Sequence, residues 1–319
     1  MSTPRNDFDP IAYNPTFKNA WLKPKYWGTW LTVLLGLPLA LTPVRFRAWI
    51  AMKLASKLAK KNRGSIYKAK YNLKACFPEK TEQERHSLLT QCLTTAGTYL
   101  LGFAAVSLRS RHWLQQHSDI KGMENLTQHT EQGENVILFV PHTWAIDIAA
   151  ILMASYGMPV AAFANKQKDE VLDYLMHRQR VQYGGRVYDR STGIKPFIKA
   201  VRDGYLGYYL PDEDHGPENS VFAPFFGTTK ATLPGLGKLA KVTRAHIVPV
   251  TSMYNASTGR FEIEIHPAIE GLASGDEAVD ARIMNACVEK QIAPYPEQYM
   301  WILKLLKTQP DGKDPYEGR

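Results

Sequence analysis

Hydrophobic and polar positions change their spacing along the chain, and this change divides it into two parts. From Arg45 to about Arg109 apolar residues recur at helical spacing, which predicts a series of helices with basic outer faces. From Asn135 onward, short apolar runs alternate with longer amphipathic ones. Strands and helices that alternate in this way predict an α/β fold: a mostly parallel mixed sheet flanked by helices.

The apolar runs of the second part can be assigned individually. Strands are predicted for NVILFV, MPVAAFA, RVYDR, YLGYYLP, HIVPVTSMY and RFEIEIHP. Helices are predicted for DIAAILMASYG, DEVLDYLMHRQRVQYGG, GIKPFIKAVRDG and LPGLGKLAKVTRA, with a Pro- and Gly-rich loop before the last of them. Two further helices, near Ala278 to Ile292 and Glu297 to Thr308, are expected to close the domain.

An uncharged run of nineteen residues, Tyr26 to Val44, precedes the helical series. Its length approaches the roughly 20 residues that cross the hydrocarbon core of a bilayer. Gly36, Pro38 and Pro43 weaken a straight spanning helix, whereas Trp27 and Trp30 also suit a helix lying at the membrane interface. We expect residues 1–44 to form an N-terminal tail and membrane-anchor helix. Residues 45–319 would form the main domain, which begins with basic amphipathic lead-in helices.

The positive charge is concentrated beside this run. The net charge is +9, but thirteen of the 39 basic residues lie between Pro10 and Pro78, where there is no Asp or Glu. The rest of the chain has 26 basic and 30 acidic residues, so nucleic acid is not an expected partner. Basic residues are denser after the run than before it, which places the main domain on the cytoplasmic side of an inner membrane.

The three cysteines, Cys76, Cys92 and Cys287, are widely spaced and form no CxxC motif. An odd number at such spacing favours neither a disulfide framework nor a zinc site. We therefore expect a reducing compartment, no metal and no cofactor.

Candidate chemistry begins at FVPHTWAID, where His142 follows a predicted strand and Asp147 begins a predicted helix. Reactive groups in open α/β sheets collect where strands end and helices begin. An aspartate in the first helical turn could accept one imidazole N–H and leave the other nitrogen free to act as a base. His142 is therefore predicted to remove a proton from an alcohol.

The spacing by itself is weak evidence for catalysis. His129 and Glu134 have the same offset but lie in a polar turn that follows no strand. Without further context, His142 and Asp147 could equally be a loop histidine beside a helix-capping aspartate.

The further context is a resemblance that covers most of the chain. The stretches that carry it are NLKACFPEKTEQER, HTWAIDIAAILMASYG, GGRVYDRSTGIKPFIKAVRDG, YYLPDEDHGPENSVFAPFFGTTKATLPGLGKLAKV and PEQYMWILKLLKT. They resemble the lipid A biosynthesis acyltransferases of Gram-negative bacteria, within the glycerolipid acyltransferase superfamily marked by H-x4-D. LPDEDHGP and WILKLLKT resemble the late-acting members, which add a secondary myristoyl chain to a lauroylated, Kdo-bearing precursor.

The resemblance implies two substrates: an acyl carrier protein thioester as donor and, as acceptor, a hydroxyl on a 3-hydroxyacyl chain of the lipid A precursor. It implies that His142 is the general base and that Asp147 orients it. Arg190, with Arg186 as the alternative, would meet acceptor phosphate or the developing oxyanion. Asp212 and Asp214 would order their loop or contact sugar hydroxyls, because carboxylates do not bind phosphate directly.

Docking of an acidic carrier protein requires a local basic patch, because the chain outside residues 10–78 is net negative. Two sets of basic residues at helical spacing are candidates, each of which could equally be a solvated helix face: Lys238, Lys241 and Arg244, or Lys195, Lys199 and Arg202.

Two other classes of protein are compatible with parts of the sequence. A metal-dependent hydrolase could draw its ligands from His142, Asp147, Asp212, Asp214 and His215, although no HExxH-like spacing supports it. A membrane-anchored binding protein would explain the apolar run but not FVPHTWAID.

Overall fold

The structure is a computed structural model that describes residues 9–317; the first eight residues of the expected tail and the last two residues lie outside it. Its helices, in chain order, are α1 Trp27–Ala40, α2 Val44–Leu58, α3 Gly64–Cys76, α4 Glu82–Gly102, α5 Ala105–Leu108, α6 Arg111–Gln116, α7 Glu124–Thr130, α8 Ile146–Ser155, α9 Glu170–Arg180, α10 Lys195–Arg202, α11 Leu236–Thr243 and α12 Glu277–Ile292. Its strands are β1 Ser118–Lys121, β2 Asn135–Phe139, β3 Val160–Ala164, β4 Arg186–Asp189, β5 Leu206–Tyr209, β6 Val221–Phe225, β7 Thr228–Thr232, β8 Ala245–Tyr254 and β9 Phe261–Ile265.

Seven strands form one sheet in the order β1-β9-β8-β2-β5-β3-β4. All neighbouring pairs are parallel except β8 and β9. The predicted α/β architecture is confirmed, since β2 to β5 each follow one another through a helix and the middle strands are buried on both faces. The carboxyl ends of β2, β5, β3 and β4 therefore lie along one edge of the sheet.

The lead-in helices pack tightly because one seam of α2 carries small residues. Ala51 and Ala55 are buried at i, i+4 spacing, and a Cβ added to Gly97 of α4 would lie 2.9 Å from the Cβ of Ala51. The start of α4 is fixed by a capping box in which Thr81 and Glu84 bond reciprocally. Large apolar side chains of α2 are left on its outer face.

The uncharged run forms α1, which has only 14 residues. At 1.5 Å per residue it is about 21 Å long, shorter than the roughly 30 Å hydrocarbon core. Within residues 9–317, the one helical stretch long and apolar enough to cross a bilayer is Glu82–Leu108, and half of its apolar window is buried inside the fold. The uncharged run thus forms a helix, as expected, but one too short for a straight span.

Two expectations about the end of the chain and its central loop require correction. The predicted helix at Glu297 to Thr308 is wrong: only Pro296–Gln298 forms a short 3₁₀ turn, and turns follow. Its backbone instead bonds to the loop after β2, since the Met300 amide donates to the carbonyl of His142. The expected Pro- and Gly-rich loop contains the antiparallel hairpin of β6 and β7.

Candidate functional site

The register of two neighbouring strands brings a histidine and an aspartate together. In the parallel pair of β2 and β5, Phe139 stands opposite Tyr209. His142 lies three residues beyond Phe139, and Asp212 lies three residues beyond Tyr209. Parallel strands that leave a sheet in register carry such residues to the same place.

The carboxylate of Asp212 holds His142 through two hydrogen bonds. Nδ1 of His142 lies 2.5 Å from Oδ1 of Asp212, and the backbone amide of His142 donates to Oδ2 at 2.7 Å. Burial disfavours the imidazolium, but the Asp212 charge outweighs burial, so the pKa of His142 is raised above its ordinary 6.5. Burial also opposes ionisation of Asp212, yet His142 holds the pKa of Asp212 below 3.8. The donor role of Nδ1 leaves Nε2 as the basic nitrogen.

Glu213 connects that second nitrogen to an arginine. Oε1 of Glu213 lies 3.6 Å from Nε2 of His142, and Oε2 lies 2.5 Å from Nη2 of Arg190. The Arg190 side chain is 40% exposed, so it remains accessible from the cavity. Arg190, predicted from the sequence, therefore lies beside the histidine, and Glu213 is a charged neighbour that the sequence did not reveal.

The structure corrects the predicted pairing of His142 with Asp147. Asp147 instead accepts two hydrogen bonds from Arg180, from Nε at 2.9 Å and from Nη2 at 3.1 Å. A bidentate guanidinium is a stronger partner for a carboxylate than a single imidazole N–H. Asp147 lies in the first turn of α8 and Arg180 ends α9, so this pair joins two helices and lines the same cavity as His142.

The loop that carries His142 is held in place by hydrogen bonds to β8 and to the segment that follows α12. The Trp144 amide donates to the carbonyl of Gln298 at 3.0 Å, and the Ser252 hydroxyl donates to the carbonyl of Ala145 at 2.6 Å.

Asp214 accepts from both the amide and the hydroxyl of Thr308 at 2.7 Å. Asp214 therefore orders its loop by holding the C-terminal segment, which was one of its two expected roles.

Arg186 lies deeper than Arg190. It is 7% exposed, lies 3.5 Å from Asp9 and 4.0 Å from Asp203, and its guanidinium stacks on the Tyr205 ring at 4.3 Å. These contacts hold the start of β4 against the N-terminal segment. Of the two arginines that the sequence left open, Arg190 is therefore the more accessible to a ligand.

A cavity of about 340 Å³ opens in front of His142, within the usual size range of ligand sites. Most of its wall is apolar, and His142, Arg190 and Glu213 are among the polar residues that line it. The apolar side chains include Leu100, Phe103, Trp144, Ile146, Ala150, Val160, Ala162, Phe163, Met176, Val181, Val187, Leu210 and Met300. The cavity thus suits a long apolar chain whose reactive end meets the histidine.

One buried cation balances the acidic segment of residues 212–214. Lys230 in β7 is 1% exposed, and its Nζ donates to the Ala231 carbonyl at 3.3 Å. Burial lowers the pKa of Lys230, while the charges of Asp212 and Asp214 act in the opposite direction. No sequence feature marked this residue, because TTKAT lies in the segment predicted to be a Pro- and Gly-rich loop, where a lysine is expected to be exposed.

The second histidine of identical spacing lies elsewhere. His129 bonds to Glu134 at 2.7 Å and stacks on His246 at 4.0 Å, at the amino ends of β2 and β8. Among residues 9–317, these three side chains form the one cluster close enough to share a metal ion. The ligands that the hydrolase alternative would need are not in it.

Arg180, Glu213 and Lys230 were not found from the sequence alone. The sequence carries no signal for Arg180, since it ends a helix, and the carboxyl end of a helix is expected at the amino edge of such a sheet, away from His142. The residues that follow two predicted parallel strands could have paired His142 with Asp212. The order of the strands, which the sequence does not give, was needed to make that choice.

Known proteins match the chain over nearly its whole length. Residues 14–308 match the family described as bacterial lipid A biosynthesis acyltransferase. A Haemophilus influenzae lipid A biosynthesis acyltransferase is 42% identical over 307 residues, which cover 96% of each chain. The Escherichia coli K12 lipid A biosynthesis myristoyltransferase is 42% identical over 320 residues, 100% of this chain and 98% of its own. The lauroyltransferase of the same organism is 30% identical over 304 residues, 93% and 97% of the two chains.

Proposed function

The chain belongs to the bacterial lipid A biosynthesis acyltransferase family, and we propose that it transfers a myristoyl group from acyl carrier protein to a 3-hydroxyacyl chain of the Kdo-linked, lauroylated lipid A precursor. The observation that carries the chemistry is the hydrogen-bonded pair of His142 and Asp212, whose histidine lines a mostly apolar cavity. A lauroyl or other secondary acyl transfer in the same pathway, or acylation of a phospholipid, is the alternative within this reaction class.

The site can perform acyl transfer without a covalent enzyme intermediate. Nε2 of His142 takes the proton of the acceptor hydroxyl while the oxygen attacks the thioester carbonyl. The tetrahedral intermediate then collapses: the C–S bond breaks, and the imidazolium returns the proton to the leaving thiolate. Arg190 stabilises the oxyanion once the substrate draws it from Glu213. Burial raises the pKa of the Cys76 thiol, and it raises the pKa of the Cys92 thiol to about 12. Neither cysteine is therefore a ready nucleophile.

Two lipid chains must be accommodated, and two cavities meet at the site. A second cavity of about 300 Å³ shares Phe163, Arg190, Tyr208 and Leu210 with the first. Its far wall is formed by Leu233 and Leu239. One cavity would hold the donor acyl chain and the other a chain of the acceptor, with Arg190 at their junction.

The basic sets proposed for docking the acyl carrier protein lie on neighbouring exposed helices. Lys199 pairs with Asp203, and Lys238 with Glu277, each at 2.7 Å. Arg202 on α10 donates to the carbonyl of Val242 on α11, which joins the two sets. They thus form one basic surface beside the second cavity, and this arrangement supports donor docking there.

An apolar surface on α1 and α2 supports attachment to a membrane, which we propose to be the inner membrane approached from its cytoplasmic side, as the basic residues after the uncharged run predict. Its exposed side chains are Trp27, Leu31, Leu34, Leu35, Phe46, Trp49, Met52 and Leu54. Basic residues alternate with them on α2, as in a helix that lies on an anionic bilayer. We propose that α1 and α2 lie at the membrane interface and that α1 is not a complete span.

Replacing Leu34 and Leu35 together by Glu should weaken membrane binding. Both side chains are more than 60% exposed, and burying a leucine in an apolar medium contributes about 1.5–3 kcal/mol. We expect at least a tenfold loss of partition onto phosphatidylglycerol-containing vesicles, measured by co-sedimentation. Val279→Glu on α12, which is also exposed, is the matched control and should bind normally. Equal losses for the two variants would contradict a specific membrane surface.

Transfer itself can be tested with the purified protein, acyl carrier protein loaded with 12-, 14- or 16-carbon chains, and the lauroylated precursor. We expect the myristoyl donor to be preferred and the product to gain one secondary acyl group by mass spectrometry. Hydrolysis of the thioester without any acylated product would refute the transferase assignment. Preference for another chain would retain the reaction and replace the donor.

A further inference from the structure

A third cleft, distinct from the two cavities at His142, lies where α1, α2 and the end of α4 meet. It has a volume of about 210 Å³ and shares only Tyr99 and Phe103 with the main cavity. Arg47, Arg109 and His117 line it, and no Asp or Glu does among residues 9–317. A cleft with cations and no carboxylate attracts an anion.

Arg47 is the principal group in this cleft. It is only 9% exposed, yet its guanidinium makes no hydrogen bond or ion pair with the described part of the chain, and Nε is fully buried without a partner. A buried guanidinium without a partner is costly, and binding of an anion would remove that cost. The Tyr254 hydroxyl, also buried and lining the cleft, has no partner within residues 9–317 either.

The backbone is shaped to receive this arginine. Gly102 ends α4, and a Cβ added to it would overlap Nη1 of Arg47. The partial negative charge at the end of α4 favours a cation there but supplies no hydrogen bond to it. His117 also lines the cleft, and its Nδ1 donates to the Trp113 carbonyl at 2.9 Å, so its Nε2 can donate to an anion only when the ring is protonated. Arg47 and the Tyr254 hydroxyl therefore supply the cleft with two donors that have no partner within residues 9–317.

We propose that this cleft binds a phosphate group of the lipid acceptor; this inference rests on the proposed function. Planar guanidinium groups bind phosphate through two parallel hydrogen bonds. The cleft adjoins the exposed apolar face of α1, where lipid would approach, and its wall at Tyr99 and Phe103 continues into the main cavity. A phosphate held by Arg47 would thus fix the acceptor while one of its acyl chains extends toward His142.

The test compares the acceptor with the same acceptor after phosphatase treatment, for the wild type, Arg47→Gln and Gly102→Ala. We expect Arg47→Gln to raise the KM and the equilibrium Kd of the phosphorylated acceptor about ten- to a hundredfold, without a change in the KM of the donor. Gly102→Ala, which displaces the guanidinium but keeps its charge, should weaken the acceptor by a smaller factor. Neither variant should differ from the wild type with the dephosphorylated acceptor.

Arg178→Gln is the matched control, because Arg178 is exposed on α9, loses the same charge and lines neither this cleft nor the two cavities at His142. An equal loss with both forms of the acceptor, or for Arg178→Gln and Arg47→Gln alike, would overturn the proposal. If Arg47→Gln weakens binding only to phosphatidylglycerol vesicles without acceptor, the phosphate belongs to a membrane lipid and the acceptor assignment is wrong. A wild-type protein that binds acceptor through Arg47 but transfers no acyl group would support the cleft and refute the proposed function.

Discussion

His142→Ala should lower kcat by about 10²–10⁴-fold while the protein remains folded, because general-base catalysis typically contributes that factor. The imidazole is the group that faces the apolar cavity with a free Nε2, and its loop is fixed by backbone bonds that the substitution does not remove. Single-turnover transfer from a loaded acyl carrier protein measures the effect. The KM of the donor should change little, since the imidazole acts in the transition state.

His129→Ala is the control for this experiment, because His129 has the same sequence spacing to its acid but lies at the opposite edge of the sheet. We expect its kcat to stay within about twofold of the wild type, since it contacts no residue of the cavity. A severe defect in His129→Ala together with an active His142→Ala enzyme would show that the histidine was chosen wrongly.

Asp212→Asn should reduce kcat by a factor of the same order, about 10²–10⁴, because an amide cannot hold the Nδ1–H tautomer or stabilise the imidazolium. It should also change the pH profile. The charge of Asp212 raises the pKa of His142, and the base acts only when neutral, so activity in the wild type falls as the pH drops through that raised pKa. Without the Asp212 carboxylate, burial lowers the pKa of His142 with less opposition. The acidic limb of the kcat/KM profile should therefore move to lower pH.

Double variants distinguish the role of Asp212 from that of Asp147. Once His142 is absent, Asp212 has nothing to orient, so the double variant should resemble His142→Ala alone. Asp147→Ala should instead be coupled to Arg180→Ala in a double-mutant cycle of unfolding free energy, since those two side chains form a bidentate pair. Coupling of Asp147 to His142 in kcat, with none between Asp212 and His142, would restore the pairing that the sequence predicted.

Much of this protein could be inferred from the order of its residues. Hydrophobic spacing predicted the α/β class and the helical lead-in, and the quoted motifs identified the family, which the match over residues 14–308 confirmed. Spacing is local information, and local information suffices for the type of an element and for its amphipathic face. It also placed His142 correctly at the end of a strand.

Tertiary structure decided which side chains are hydrogen-bonded to each other in the site. Asp212 lies 70 residues from His142, and they meet only because β5 lies beside β2 in a parallel register that no local pattern reveals. Asp147 lies only five residues from His142 but bonds to Arg180, because α8 and α9 bring a better partner. The segment after Pro296 has a helical pattern, yet its amides and carbonyls bond to the histidine loop, and tertiary hydrogen bonds outweigh a modest helical propensity. The sequence by itself therefore determined most of the elements and the family, because both follow from local patterns, and only the packing of distant strands determined which acid holds the histidine.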